Sequence, residues 1–146
     1  MRALIQRVSR ASVTVEGEVL GAIDRGLLVL LGIAPEDGPR EVDWMVRKIS
    51  GLRIFPNEAG RFDRSLVDVS GSVLLVSQFT LFGDSRKGRR PNFSGAARPE
   101  HAAPMCDRVA EAFRIAGVPT EQGRFGADMQ VALVNDGPVT LMLDTP

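Results

Sequence analysis

The residues Leu27-Leu28-Val29-Leu30-Leu31-Gly32-Ile33 form an unbroken apolar run. A stretch this short, bounded by Asp24-Arg25-Gly26 before it and Pro35-Glu36-Asp37-Gly38-Pro39 after it, is a strand. With no polar side chain on either side, it must be covered on both faces. Val73-Leu74-Leu75-Val76-Ser77-Gln78-Phe79 reads as a second buried strand. Two such strands demand a sheet with a packed layer against each face. The chain supplies candidates for one layer: Val42, Met45, Val46 and Ile49 recur at three and four residues between Glu41 and Ser50, which predicts a short amphipathic helix lying on the sheet. Trp44 and Lys48 belong to that helix and receive no chemical role. Pro99 and Glu100 open a second helix with the apolar stripe Met105, Val109, Ala112, Phe113 and Ala116, ended by Gly117.

The remaining strands are read from alternation and turn chemistry. Ala3 to Val15 alternates β-branched with polar residues, broken by a bulge, and Glu16-Gly17 makes a two-residue hairpin connection to Glu18–Ile23. Leu52-Arg53-Ile54-Phe55 is a further strand, closed by the turn Pro56–Gly60. Thr120 to Leu143 reads as strand, glycine-rich break, strand (Met129 to Val134), a hairpin turn at Asn135-Asp136-Gly137-Pro138, and a last strand from Val139. About seven strands and two helices result. The expected fold is α+β but mainly β: an antiparallel, barrel-like sheet with two flanking helices, in a single domain spanning residues 1–146.

The inventory of side chains narrows the chemistry. Eighteen basic residues balance eighteen acidic ones, so nothing in the total charge supports indiscriminate adhesion to nucleic acid or anionic lipid. Any polyanion must be met by a local patch. One Cys and one His leave neither a disulfide framework nor a Cys/His zinc site, and suggest a cytoplasmic protein. Arg7 and Arg10 interrupt the N-terminal apolar stretch before it reaches signal-peptide length, and no run approaches the roughly 20 residues of a membrane span. No membrane association and no cofactor are expected. Asp63, Asp68, Asp84, Asp128, Asp136 and Asp144 lack metal-ligand spacing, so no metal is expected either. Phosphate-loop, dinucleotide-binding and nucleophile-elbow motifs are absent, and Gly123-Arg124-Phe125-Gly126 is too loose for a phosphate loop.

Nucleophilic catalysis by Ser or Cys would need His101, the single imidazole, which stands at a helix start where a capping or solvated role is the ordinary one. Cys106 falls in the stripe region of the same helix and reads as a buried apolar residue. Two polar clusters remain: Ser77-Gln78-Phe79-Thr80 at the close of an apolar strand, and Asn135-Asp136-Gly137-Pro138-Val139-Thr140 at a turn. Strand ends beside loops are where sites tend to lie, although a plain strand terminus and a plain hairpin turn also account for them. A long exposed segment from Gly83 to Arg98 carries four cations in five positions, Arg86, Lys87, Arg89 and Arg90. It is either a phosphate-binding patch or a solvated loop.

At these two clusters the chain closely resembles the D-aminoacyl-tRNA deacylases, whose signatures SQFTL and NxGPxT stand here as Ser77–Leu81 and Asn135–Thr140. The likeness extends to Gln6-Arg7-Val8 with Ala11, Val13 and Val15, to Lys87-Gly88-x-Arg90-Pro91-x-Phe93, and to Gly126-Ala127-x-Met129. The related deacylase with Pro-Gln-Ala-Thr in the first motif is disfavoured by Ser77 and Phe79. The resemblance implies a homodimeric proofreading hydrolase that cleaves the ester between a D-amino acid, or glycine, and the tRNA 3′ end. It further implies that a cis Gly137–Pro138 pair of one subunit enters the other's pocket, held by Arg7, as a wall that rejects an L side chain. Ser77, Gln78 and Asn135 would bind substrate beside it. On that reading an alanine at Gly137 adds a carbon to the wall and narrows the pocket for every substrate.

Thr80 has no neighbouring base in sequence. The resemblance implies that the 2′-OH of the terminal ribose assists, while main-chain N–H groups of Phe79 and Thr80 meet the developing oxyanion. Arg86, Lys87, Arg89 and Arg90 would contact tRNA phosphates. A non-catalytic RNA-binding module and a conventional esterase using His101 stay open as rivals.

Overall fold

In a computed structural model describing residues 1–146, β1 (Arg2–Val15) is the hub. Along one edge it pairs antiparallel first with β3 (Gly26–Gly32) and then with β2 (Glu18–Ile23). Along the other it pairs over its length with the 15-residue β8 (Gln130–Asp144). Between β3 and β8 come α1 (Pro39–Gly51), a two-stranded ribbon of β4 (Phe55–Pro56) and β5 (Phe62–Arg64), β6 (Ser72–Ser77), a 3-10 turn (Phe79–Phe82), α2 (Pro99–Ile115) and β7 (Thr120–Gln122). The main sheet runs β2-β1-β3-β6-β7, with β8 beside β1. It curls until its ends almost meet: a Cβ added to Gly21 of β2 would lie 3.1 Å from the Glu121 side chain and 3.2 Å from the Gln122 carbonyl of β7.

The apolar run does what its composition demands. Leu27, Val29 and Leu31 of β3 face the core under the helices, joined by Val73 and Leu75 of β6 and by Met45, Ile49, Met105, Val109 and Phe113. Leu28 faces the inside of the curled sheet, with Val8, Ala11, Val13, Ile23, Leu74 and Val76. Each fully buried aliphatic side chain of this kind contributes about 1.5–3 kcal/mol before the conformational entropy cost. Helix α1 begins as its sequence suggests, with Pro39 in its first turn and the Glu41 carboxylate accepting the Gly38 N–H at 2.8 Å. The hairpin at Glu16-Gly17 forms with both residues at positive φ, 50° and 79°.

Four details differ from the sequence reading. The sheet is mixed, because β6 runs parallel to β3 and β7 parallel to β6, with α1 and α2 lying in the connections. Continuous apolar strands under helices are the parallel pattern, and the hairpins at the chain's start masked it. Of Leu52–Phe55 only Phe55 enters a strand, and β4 pairs with β5 (Phe62–Arg64), which has no counterpart in the sequence reading; eight strands stand where about seven are expected. Gln78 and Phe79 lie beyond the end of β6, where the chain tightens into the 3-10 turn. Finally, Asn135–Pro138 is no hairpin: β8 runs through it without reversing. Gln6 of β1 pairs with Thr140 and Val8 with Asn135, so Arg7 alone faces the four residues Asp136 to Val139, which are thrown out of the ladder.

Candidate active site

Where β6 ends, a cavity of about 330 Å³ opens between the sheet edge and α2, at the small end of the range for ligand pockets. Nine of its fourteen lining residues are hydrophobic, and the first motif contributes Ser77, Gln78 and Phe79 to its edge. Leu31 and Ile33 come from β3 and its end, Ala102 and Cys106 from α2, and Phe93 and Phe125 from loops. Arg98 is the one charged residue in the lining. The first motif therefore does not merely end a strand; it lines the opening.

The turn itself is exposed, with Phe79 more than half accessible. The Gln78 N–H donates to the Leu31 carbonyl at 2.7 Å, anchoring the turn to β3, whereas no acceptor within the chain takes the N–H of Phe79 or Thr80. Free donors at the start of a short helix are the expected result of its geometry. Thr80 lies outside the cavity lining, and its Oγ1 accepts a hydrogen bond from Gln78 Nε2, with no base in contact. Phe93 packs edge-on against Phe79, centroids 5.2 Å apart at 72°, which folds the Gly83–Arg98 segment back over the cavity. An Asp84–Asn92 bridge closes the neck of that segment. At its tip the Arg86 guanidinium grips Asp84 through two bonds of 2.9 and 2.7 Å and holds that carboxyl below the usual carboxylate range. Lys87, Arg89 and Arg90 make no ion pair, so three of the four cations are free.

The second motif is built around a buried arginine. Arg7, 7% exposed, donates from Nη1 to the Ile54 carbonyl at 2.6 Å and from Nε to the Asp136 carbonyl at 3.2 Å, with Asp136 Oδ2 also at 3.2 Å. Asn135 Nδ2 donates to the carbonyls of Arg7 and Val139 at 3.0 and 3.1 Å, and its Oδ1 accepts from Thr140 Oγ1 at 3.2 Å. These bonds replace the ladder bonds that the excursion breaks and span its base. At its tip Gly137 and Pro138 stand exposed, joined by a cis bond. None of Arg7, Asn135, Gly137 and Pro138 lines the cavity beside Ser77–Phe79. Within one chain the two motifs stay apart.

The two reactive side chains of α2 are placed differently. His101 Nε2 donates to the Asp37 carbonyl at 2.8 Å and is not part of the lining, which leaves the His101-esterase reading without its base. Cys106 is buried and borders the cavity, but burial, with a smaller push from the Asp107 charge, raises its thiol to about 12. It is a thiol at neutral pH and a poor nucleophile.

A family model described as D-Tyr-tRNA(Tyr) deacylase matches residues 4–144. The chain belongs to the D-Tyr-tRNA deacylase family. Among its relatives, a D-aminoacyl-tRNA deacylase of Chloroflexus aurantiacus is 58% identical over 99% of this chain and 91% of that protein, and one of Thermus aquaticus is 57% identical over 99% and 95%. A solved structure described as c-Myc DNA Unwinding Element Binding Protein superposes with a TM-score of 0.94 at 46% identity, covering 100% of this chain and 99% of that one. A further structure, of a probable eukaryotic D-amino acid tRNA deacylase, shares the fold at a TM-score of 0.86 and 20% identity. The deacylase family's barrel-like sheet with flanking helices is thus the fold seen here.

Three groups at the cavity and the β8 excursion carry no functional signal in the sequence. Phe125 stands inside the glycine-rich string Gly123–Gly126, too loose for a phosphate loop, yet its ring borders the cavity. Phe93, part of the loop likeness, had no role assigned and proves to buttress Phe79. The Ile54 carbonyl, which fixes Arg7, is a backbone group at the end of a non-paired stretch and leaves no trace in sequence at all.

Proposed function

We propose that the protein hydrolyses the ester of D-aminoacyl-tRNA, and of glycyl-tRNA, in a site shared between two copies of the chain. The observation that carries this reading is the separation of the motifs: an apolar cavity edged by Ser77, Gln78 and Phe79, and elsewhere an exposed Gly137–Pro138 tip braced by a buried Arg7. A tip so braced, exposed and outside its own cavity suits insertion into a partner's. The phenylalanine rings of the cavity suit stacking with a terminal base. The carbonyls and ring of the inserted pair then bound the space beside the reacting ester. A side chain directed at them is excluded, a D side chain points away, and glycine has nothing to exclude.

Chemistry follows from what the turn offers. The unused N–H groups of Phe79 and Thr80 are donors for the oxyanion of the tetrahedral intermediate, and Gln78 and Ser77 position the ester. Thr80 has no base to activate it, and neither Cys106 nor His101 is poised to serve. The 2′-OH of the terminal ribose, adjacent to the ester, supplies the assistance that the protein lacks. Lys87, Arg89 and Arg90 lie in the segment that packs on Phe79 and provide contacts to the acceptor-end phosphates. The setting is cytoplasmic, where charged tRNA is made and used.

Complementation tests the shared site. A Gln78→Ala chain and a chain with Gly137 and Pro138 replaced by alanine, each inactive alone, should regain about one quarter of wild-type D-aminoacyl-tRNA cleavage when mixed equally and allowed to exchange. Mixed dimers without activity would overturn the shared site, and a wild type that spares D-aminoacyl-tRNA would overturn the deacylase reading itself.

A further inference from the structure

Arg2 belongs to neither motif and lines no part of the cavity, yet its guanidinium joins two elements, the 3-10 turn and β8. Nη1 donates to the Leu81 carbonyl at 3.0 Å, while Nε and Nη2 donate to the Asp144 carboxylate at 2.7 and 3.4 Å. Its Cζ stands 5.3 Å from the centroid of the Phe82 ring. Across the sheet, Arg2 pairs with Gly32 of β3 on one side and with Asp144 of β8 on the other. The Phe82 ring lies on the bare backbone of that glycine: a Cβ there would be 2.9 Å from Phe82 Cε2 and 3.2 Å from the Gln78 carbonyl. Phe82 thus sits between a glycine that leaves it room and an arginine that covers it.

These contacts matter because they alone tie the far end of the turn to the sheet; its other neighbours, Phe93 beside Gly83 and Gly95 beside Phe82, belong to the exposed Gly83–Arg98 segment. None of Phe79 to Phe82 is buried, so no hydrophobic core locks the turn in place, and short 3-10 segments have weak internal bonds. Its near end is tied by Gln78 N–H to Leu31, one residue before Gly32. Its far end is tied by Arg2 to Leu81 and by Phe82 to Gly32. Phe79 and Thr80, whose N–H groups have no acceptor in the chain, lie between the two ties.

We propose that Arg2 is a positioning residue: with Gly32, Phe82 and Asp144 it forms a socket that fixes the orientation of the Phe79–Thr80 backbone toward the substrate. The inference rests on the reading of that turn as the reacting site. A guanidinium serves a carbonyl and a carboxylate at once in one plane while stacking on a ring. A lysine ammonium cannot do all three. Small displacements of a positioning group are costly to rate, up to about a hundredfold for 1 Å.

The test compares wild type with Arg2→Ala, Arg2→Lys and Asp144→Asn, well below each melting temperature, by single-turnover and steady-state deacylation of D-aminoacyl-tRNA. Arg2→Ala should lower kcat by about ten- to a hundredfold with KM within about twofold, and Arg2→Lys should recover part of the loss. Asp144→Asn should cost less, because the Leu81 bond remains, and the Arg2→Ala, Asp144→Asn double variant should be no slower than Arg2→Ala. Hydrogen exchange gives a readout independent of substrate. The amides of Leu81 and Gly83, bonded to the Gln78 and Thr80 carbonyls, should exchange about tenfold faster in Arg2→Ala while those of β3 and β6 hold. An unchanged kcat, a change in KM alone, or unaltered exchange at Leu81 and Gly83 would overturn the socket. Should Arg2→Ala fail to fold, Phe82→Leu is held to the same outcomes. If wild type does not cleave D-aminoacyl-tRNA, the reading of the activity fails, and the exchange data still decide whether Arg2 holds the turn.

Discussion

Replacing Gly137 by alanine probes how the exposed tip of β8 is held. Gly137 has φ +125°, a conformation that L residues rarely adopt. A Cβ built there would stand 2.9 Å from Val139 Cγ2, 3.0 Å from the Val139 nitrogen and 3.1 Å from Arg7 Nη2. The methyl therefore turns back into its own chain, and the expectation that it would narrow a partner's pocket is corrected. The backbone conformation alone costs about 1–3 kcal/mol, and relieving contacts this short in a packed site costs about 1–3 more. Arg7 cannot yield freely, since both the Ile54 and Asp136 carbonyls depend on it. A total of about 2–6 kcal/mol predicts a melting temperature about 6–18 °C below wild type for a chain of this size. Calorimetry at fixed protein concentration measures it. Deacylation of D- and L-aminoacyl-tRNA well below both transitions should show the D-over-L preference falling at least about tenfold, because a displaced tip no longer excludes by shape. Combined with Arg7→Leu, the substitution should be markedly less than additive, since both act on one contact. Melting within 1 °C of wild type together with an unaltered D-over-L ratio would refute the argument.

Thr80→Ala should cost less than about tenfold in kcat, whereas a substrate ending in 2′-deoxyadenosine should be cleaved far more slowly by wild type. A loss near the ~10⁶-fold cost of deleting a true serine nucleophile, with the deoxy substrate cleaved normally, would restore a covalent mechanism. Neutralising Lys87, Arg89 and Arg90 together should flatten the salt dependence of tRNA binding by about 2–3 in slope, as measured by titration across salt concentrations, while Arg86→Gln, which removes a cation already engaged by Asp84, should do much less. Because burial raises the Cys106 thiol from 9.0 to about 12, its neutral form is favoured by the fold. The contribution is fully present below pH 9 and lost as pH rises towards 12, so Cys106→Ala should flatten that part of an alkaline denaturation profile. His101→Ala should retain deacylation, measured on the same D-aminoacyl-tRNA.

Local patterns were legible wherever one residue type has one physical use. The apolar run at Leu27–Ile33 could only be a strand covered twice, Glu16-Gly17 could close a hairpin, and Val42 to Ile49 could bury one helix face. The motif at Ser77–Thr80 could be located as a strand end because polarity changes there abruptly. Strand direction was not legible, since an apolar strand looks the same beside a parallel or an antiparallel neighbour, and the parallel pairing of β3 with β6 depends on where the α1 connection returns the chain. Nor could the excursion at Asp136–Val139 be told from a hairpin turn. Both need glycine and proline, and the difference lies in whether Val139 to Asp144 reverses or continues beside β1, a matter of pairing with residues more than a hundred positions away. The same distance hides the contacts that give the site its shape. Arg7 finds the Ile54 carbonyl, Arg2 finds Leu81, and Phe93 finds Phe79 only after the sheet has curled and the loop has folded back. Backbone carbonyls and ring edges carry no identity in sequence; they become partners when tertiary packing brings them within reach.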